Sequence, residues 1–157
     1  MVDTHSAFQE IPVRSIRFIT LIMALAVVQT AKSEGSKDSA AIQGTWLAST
    51  AELGGKPFPD EVRKSIKLTL KDDKYTVTVG KNPDHGTVKL DPSAKPKAMD
   101  ITGTEGPNKG KKIPAIYELN GDTLKICYDL SGKSRPMAFK TTEGTQLFLV
   151  TYKREKR

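Results

Sequence analysis

Apolar and polar residues alternate with a period of two through much of the chain, and the clearest stretch runs from Ile113 to Tyr128. Asn120-Gly121 sits between two alternating runs there, the residue pair that a tight two-residue hairpin turn favours. Folding at that turn sets Leu119 opposite Asp122, Tyr117 opposite Leu124, Ala115 opposite Ile126 and Ile113 opposite Tyr128. Both strands then place their apolar residues on one face, with Glu118, Thr123, Ile116 and Lys125 on the other. A slip of one residue would turn one apolar set to the wrong side, so pattern and turn chemistry favour one arrangement.

The same alternation predicts a second hairpin from Ile66 to Val79, turning at Asp72-Asp73 and pairing Leu70 with Tyr75, Leu68 with Val77 and Ile66 with Val79. Further strands are expected at Ile42–Leu47, Thr87–Leu90, Lys97–Thr102 and Gln146–Lys153. Breaks fall at Leu53–Pro57, Gly80–Gly86, Asp91–Pro96, Gly103–Lys111 and Leu130–Pro136, where Gly, Pro, Asn and Asp concentrate. Between the first two strands, Phe58–Lys64 reads as a short helix. Pro59 suits its first turn, with acids at the start and bases at the end. The expected fold is all-β: about eight antiparallel strands in an up-and-down barrel, with one short helix after the first strand. An open two-sheet sandwich is the alternative. A barrel leaves no free edge, and about eight strands enclose room for side chains or one small ligand. The inward-facing candidates are Leu68, Tyr75, Val77, Met99, Tyr117, Leu124, Ile126 and Tyr128.

One apolar run does not fit the barrel. Phe18–Val28 is broken only by Thr20, follows Arg14 and Arg17, and leads into small and polar residues. This is the profile of a signal peptide, and it falls well short of the roughly 20 residues of a membrane-spanning helix. Residues 1–31 are therefore expected to be a leader cleaved near Thr30 or Ala31, which places the protein in the periplasm or outside the cell. Residues 32–41 are expected to be a flexible N-terminal segment, 42–154 the barrel and 155–157 a charged tail. No transmembrane segment is expected in the mature chain. About 126 mature residues suffice to bury roughly two-thirds of the unfolded surface without disulfides. Cys127 is the only cysteine, so the exported chain relies on its core, and the thiol reads as a packed, inert group.

The formal net charge is +7, and the leader carries two acids and two bases, so its removal leaves that charge unchanged. Such a surface suits anionic partners, although the bases are dispersed with few aromatics between them, so nucleic acid is not an expected partner. Chemistry is scarce. Past the leader stand one His and one Cys, far apart, so neither a metal site nor a His-dependent triad is indicated, and no cofactor is expected. His85 reads as an exposed turn residue, and Asp72-Asp73 as turn chemistry. Asp100 is unusual in the middle of a strand and is expected to pair with Lys97 or Arg135, or else to meet a ligand. Gly103–Lys112 has the composition of a phosphate loop but not its spacing, and reads as a mobile basic loop. Lys111, Lys112, Asp100 and Arg135 are the candidate polar or anion contacts, with Arg135-Pro136 able to clamp the barrel rim.

Two resemblances follow from these residues. Gly44-Thr45-Trp46 on the first strand, with Arg154 at the end of the last, resembles the lipocalin pattern. That resemblance implies structural roles for Gly44, Trp46 and Arg154, the arginine packing over the indole. The segments Gly44-Thr45-Trp46, Gly55-Lys56-Pro57, Lys97-Ala98-Met99-Asp100, Gly106-Pro107-Asn108-Lys109-Gly110, Ile116-Tyr117, Gly121–Cys127, Arg135-Pro136 and Phe139 together resemble a family of small domains expanded in planctomycete-type bacteria. That family has no assigned function, and the resemblance spans nearly the whole mature chain. It implies the fold and an exported setting, and no catalytic residues. The expected function is non-catalytic binding of a small apolar or amphipathic ligand, or of an anionic envelope component, by a monomer. The alternative is an envelope protein-interaction module using the basic loops at Lys109–Lys112 and Lys133–Arg135. A hydrolase, which would have to use His85 or Asp100, is the remotest expectation.

Overall fold

The computed structural model describes residues 37–156, so the expected leader and the first half of the segment joining it to the barrel lie outside the described residues. The strands are β1 (Gly44–Leu53), β2 (Lys56–Pro57), β3 (Ile66–Lys71), β4 (Lys74–Val79), β5 (Asn82–Asp91), β6 (Ala98–Glu105), β7 (Lys112–Asn120), β8 (Thr123–Asp129) and β9 (Leu147–Arg154). They form one antiparallel sheet in the order β2-β1-β3-β4-β5-β6-β7-β8-β9, and β1 also pairs with β9. β2 is a two-residue addition alongside β1, so the closed wall is an eight-stranded barrel. Ser49 forms a bulge in the closing seam. The β1–β9 register shifts between Ala48 and Thr50, and the Ser49 hydroxyl donates to the Thr151 carbonyl at 2.9 Å. Such a bulge bends a strand that must pair with β3 at one end and β9 along the rest.

The first hairpin, β3–β4, has the expected register, with Leu70 opposite Tyr75, Leu68 opposite Val77 and Ile66 opposite Val79. The central hairpin turns one residue later than expected. Asn120 pairs with Thr123 and Tyr117 with Ile126, leaving Gly121 and Asp122 as the turn, and only Gly121 takes a positive φ, +55°. Each partner moves by two residues. The faces are unchanged for that reason, since side chains repeat every second residue. The predicted turn at Gly80–Gly86 also shrinks, to Gly80-Lys81, and β5 begins at Asn82. Its first half therefore faces β4, with Asp84 opposite Val77 and His85 opposite Thr76.

The inward residues are mostly apolar, and Trp46, Ile66, Met99, Tyr117, Leu124, Ile126, Val150 and Tyr152 are all fully buried. Residues 37–41 correct the expectation of a flexible segment, because they form a helical turn, α1. Asp38 holds it down, accepting from the Lys97 ammonium at 2.8 Å and the Tyr117 hydroxyl at 2.7 Å. α1 thus closes one end of the barrel, the end carrying the 72–73 and 121–122 turns. At the other end, α2 (Asp60–Lys64) lies on the surface with no buried residue, its acids in the first turn and bases in the last.

The outer face of β7–β8 is not solvated as the alternation predicted. Ile116 and Cys127 point outward yet are fully buried. Residues 130–146 cross over them, bringing the Lys140 carbonyl to 3.7 Å from the Cys127 sulfur and burying Pro136. Asp129, only 5% exposed, anchors the start of this crossing by accepting from the backbone N–H of Ser131, Lys133 and Ser134.

Candidate functional site

Tyr75 shows how the interior is divided. Below it, towards α1, Trp46 packs in the interior, its indole N–H donating to the Ile42 carbonyl at 2.9 Å, with Ile42 itself in the core and a second hollow between residues 39–43 and Leu70, Val88 and Leu90. Towards α2 the barrel holds a cavity of about 300 Å³. That is about twice the ~150 Å³ cavity known to accept benzene. It also sits at the lower end of the volumes usual for ligand sites. Leu53, Phe58, Val79, Leu130 and Phe148 lie around its outer part, and Leu68, Leu70, Met99, Ile126 and Tyr152 around the inner. Val79, a wall residue that is 42% exposed, marks the mouth. The rings of Phe58 and Phe148 stand 5.4 Å apart, and Tyr128 stacks on Phe148 at 5.7 Å, so aromatic faces form one side. Phe58, two residues before α2, lines the cavity, whereas no residue of α2 does.

Six of the eight predicted inward residues meet in this wall: Leu68, Tyr75, Val77, Met99, Ile126 and Tyr128. Tyr117 and Leu124 face inward too, but belong to the α1 end. Arg135 and Asp100 lie outside the wall. The Arg135 guanidinium donates to the Met99 and Ala115 carbonyls and to the Asp100 carboxylate, which clips β6 to β7. Lys111 and Lys112 are exposed and line no part of the cavity. Their loop is not loose, however. Gly103 N–H donates to the Lys111 carbonyl and Gly110 N–H to the Gly103 carbonyl, so it folds back on β6. Arg154 lies 4.1 Å above the Trp46 ring and donates to the carbonyls of Gln43 and Ala41. Gly44 takes φ +123°, and a Cβ there would stand 3.0 Å from the guanidinium.

Asp84 was not among the residues expected at the site. It is 4% exposed and lines the cavity together with Asn108. Its Oδ2 accepts from the Tyr75 hydroxyl at 2.8 Å and the Asn108 amide at 3.0 Å, while Oδ1 accepts from the Asn108 backbone N–H at 2.8 Å. Asn82-Pro83-Asp84-His85-Gly86 has a turn's composition, which hid it. Carrying the alternation back from Leu90 and Val88 would have placed Gly86 and Asp84 on the inward face. His85 points the other way, its Nδ1 3.0 Å from the Thr76 hydroxyl. Among the described residues no group of three His, Cys, Asp or Glu could hold a metal, and burial pushes the Cys127 thiol up, away from the reactive thiolate.

All four tyrosines lie on inward faces, and burial raises every one of them: Tyr152 to about 12, with Tyr75, Tyr117 and Tyr128 higher than usual as well. Asp84 adds to the rise at Tyr75, Asp38 at Tyr117 and Tyr152 at Tyr128. A raised phenol favours the folded state fully below the unfolded value of about 10 and loses that contribution as pH climbs through the folded value. Phenolate absorbance is therefore expected to stay flat through pH 10 and then to rise together with loss of the β-sheet circular dichroism signal near pH 12. A tyrosine titrating near pH 10 in the intact barrel would contradict this.

Among the described residues no helix is long and apolar enough to cross a membrane. No protein-family model matches the chain, and no curated protein matches it. Among solved structures, a DUF4847-family protein from Bacteroides vulgatus is similar over 77% of this chain and 99% of its own, with 14% identity and a TM-score of 0.46. A likeness this remote adds nothing to what the barrel's own geometry establishes.

Proposed function

We propose that this protein is an exported, non-catalytic carrier or sensor that holds a small apolar or amphipathic molecule inside the barrel. The observation that carries the reading is the cavity of about 300 Å³, walled by aliphatic and aromatic side chains with a few polar groups at one place, the usual make-up of a ligand site. Export rests on the leader-like run Phe18–Val28 and on the single, buried cysteine. The resemblance to small exported domains and to lipocalins points the same way.

Binding of the neutral probe N-phenyl-1-naphthylamine, followed by its fluorescence, tests this reading. The native chain is expected to bind it with micromolar affinity. Val79→Trp, placed at the exposed mouth, is expected to weaken binding at least tenfold while leaving the melting temperature within about 2 °C of the parent, as an exposed site allows. No binding by the native chain would sink the proposal. A second reading, docking of an anionic envelope partner, draws on one contact. Gly132 lies against the Lys112 carbonyl, so the loops bearing Lys109–Lys112 and Lys133 adjoin and present their bases together.

A further inference from the structure

Asp84 is an expensive residue to place where it is. A buried carboxylate is ordinarily paired with a cation, yet the three donors on Asp84 are a phenol, a side-chain amide and a backbone N–H, all neutral. It enters none of the salt bridges among the described residues. The nearest base in its chain of contacts is Lys111, exposed and bonded only to the far oxygen of Asn108 at 3.4 Å. Both oxygens take part in tethering the 106–111 loop, since Oδ2 accepts from Tyr75 and the Asn108 amide and Oδ1 from the Asn108 backbone N–H, but none of these donors neutralises the charge.

The surroundings are shaped for this group. Gly106 takes φ +87°, and a Cβ there would sit 2.9 Å from the Asp84 Cα and 3.0 Å from Oδ1, so any side chain would press on the carboxylate. A carboxylate has about four acceptor positions. Oδ2 receives two donors and Oδ1 one, which leaves one position open on a group that lines the cavity. An apolar chamber holding a single uncompensated negative charge with a spare acceptor discriminates by charge as well as by shape, since attraction strengthens as water is excluded.

Resting on the cavity reading above, we infer that Asp84 is the head-group acceptor of the site and that the ligand class is an amphipathic amine, its ammonium on Asp84 and its apolar body among Leu68, Val77, Met99 and Phe148. The net charge of the chain, +7, makes this a stringent claim, because the protein as a whole attracts anions and repels such a ligand. A preference for the amine has to originate locally.

Isothermal titration calorimetry at pH 7 with octylamine, octanol and octanoate separates the cases. Octylamine is expected to bind at least tenfold more tightly than octanol, and octanoate more weakly than either. In Asp84→Asn the octylamine advantage over octanol is expected to fall to less than threefold. Octanol binding as tightly as octylamine, or octanoate binding best, overturns the role of Asp84 while leaving the cavity reading intact. If none of the three binds, both fall. Persistence of the amine preference in folded Asp84→Asn also overturns the proposal. Should that variant fail to fold, the native series decides alone.

Discussion

Replacing Trp46 with alanine is expected to lower the unfolding free energy by about 3–5 kcal/mol, the range for deleting a large buried aromatic side chain. The indole is wholly buried at the α1 end of the barrel, so its removal strips the contacts of a fully packed side chain. Two further contacts go with it. The Ile42 carbonyl loses its donor, and Arg154 loses the ring beneath it, a cation–π contact of about 0.5–1 kcal/mol at a partly exposed site. Arg154 bridges α1, the start of β1 and the Asp122 carboxylate, so its displacement loosens the same end. Urea unfolding followed by circular dichroism measures the loss. A decrease below about 1 kcal/mol would mean that the closed end relaxes around the missing ring, contrary to the packing described.

Asp129→Ala is expected to cost about 3 kcal/mol, near the upper range for hydrogen bonds to a charged group. Its carboxylate receives three backbone N–H groups and the Ser131 hydroxyl, and without it the turn that begins the 130–146 crossing keeps only the bonds from Gly132 N–H to the Asp129 carbonyl and from Lys133 N–H to the Ser131 hydroxyl. Burial acts to raise this carboxyl, but the hydrogen bonds, led by Ser131, outweigh it and hold it below the ordinary carboxylate value. A lowered carboxyl contributes fully above the unfolded value of about 3.9 and loses that contribution as pH falls through the folded value. Asp129→Asn is therefore expected to flatten the acid side of the stability curve. Because the crossing covers Cys127, Asp129→Ala is also expected to speed thiol labelling several-fold under native conditions. Unchanged labelling would show that the cover is held further along, by Arg135 and Pro136.

Strand positions and faces were legible because period-two alternation survives small errors. The central hairpin illustrates this: moving the turn from Asn120-Gly121 to Gly121-Asp122 changed every partner and no face. Features that depend on distant partners were not legible. Nothing in the polar composition of residues 37–41 announces that Asp38 will meet Lys97 and Tyr117. The buried outer face of β7–β8 depends on a crossing whose residues have no periodicity of their own. For the candidate site, the apolar wall was readable and its single charged residue was not. A Pro-Asp-His-Gly run inside a strand looks like a turn until the neighbouring strands are known.

The pairing of β1 with β9 has a consequence in time. Every other pairing in the closed wall joins strands that follow one another, apart from the two-residue β2 inserted between β1 and β3, and so can form within short stretches of chain. The seam brings Trp46 opposite Arg154, nearly the whole domain apart, and contacts of such long sequence separation slow folding towards the millisecond-to-second range of β-barrels. Until that seam forms, β1 and β9 each present an unpaired edge, the kind of surface through which unfinished chains associate. Arg154 therefore serves as a latch: it reaches Trp46, Gln43 and Ala41 only once the last strand has docked, and closing the wall and seating the N-terminal turn become one event.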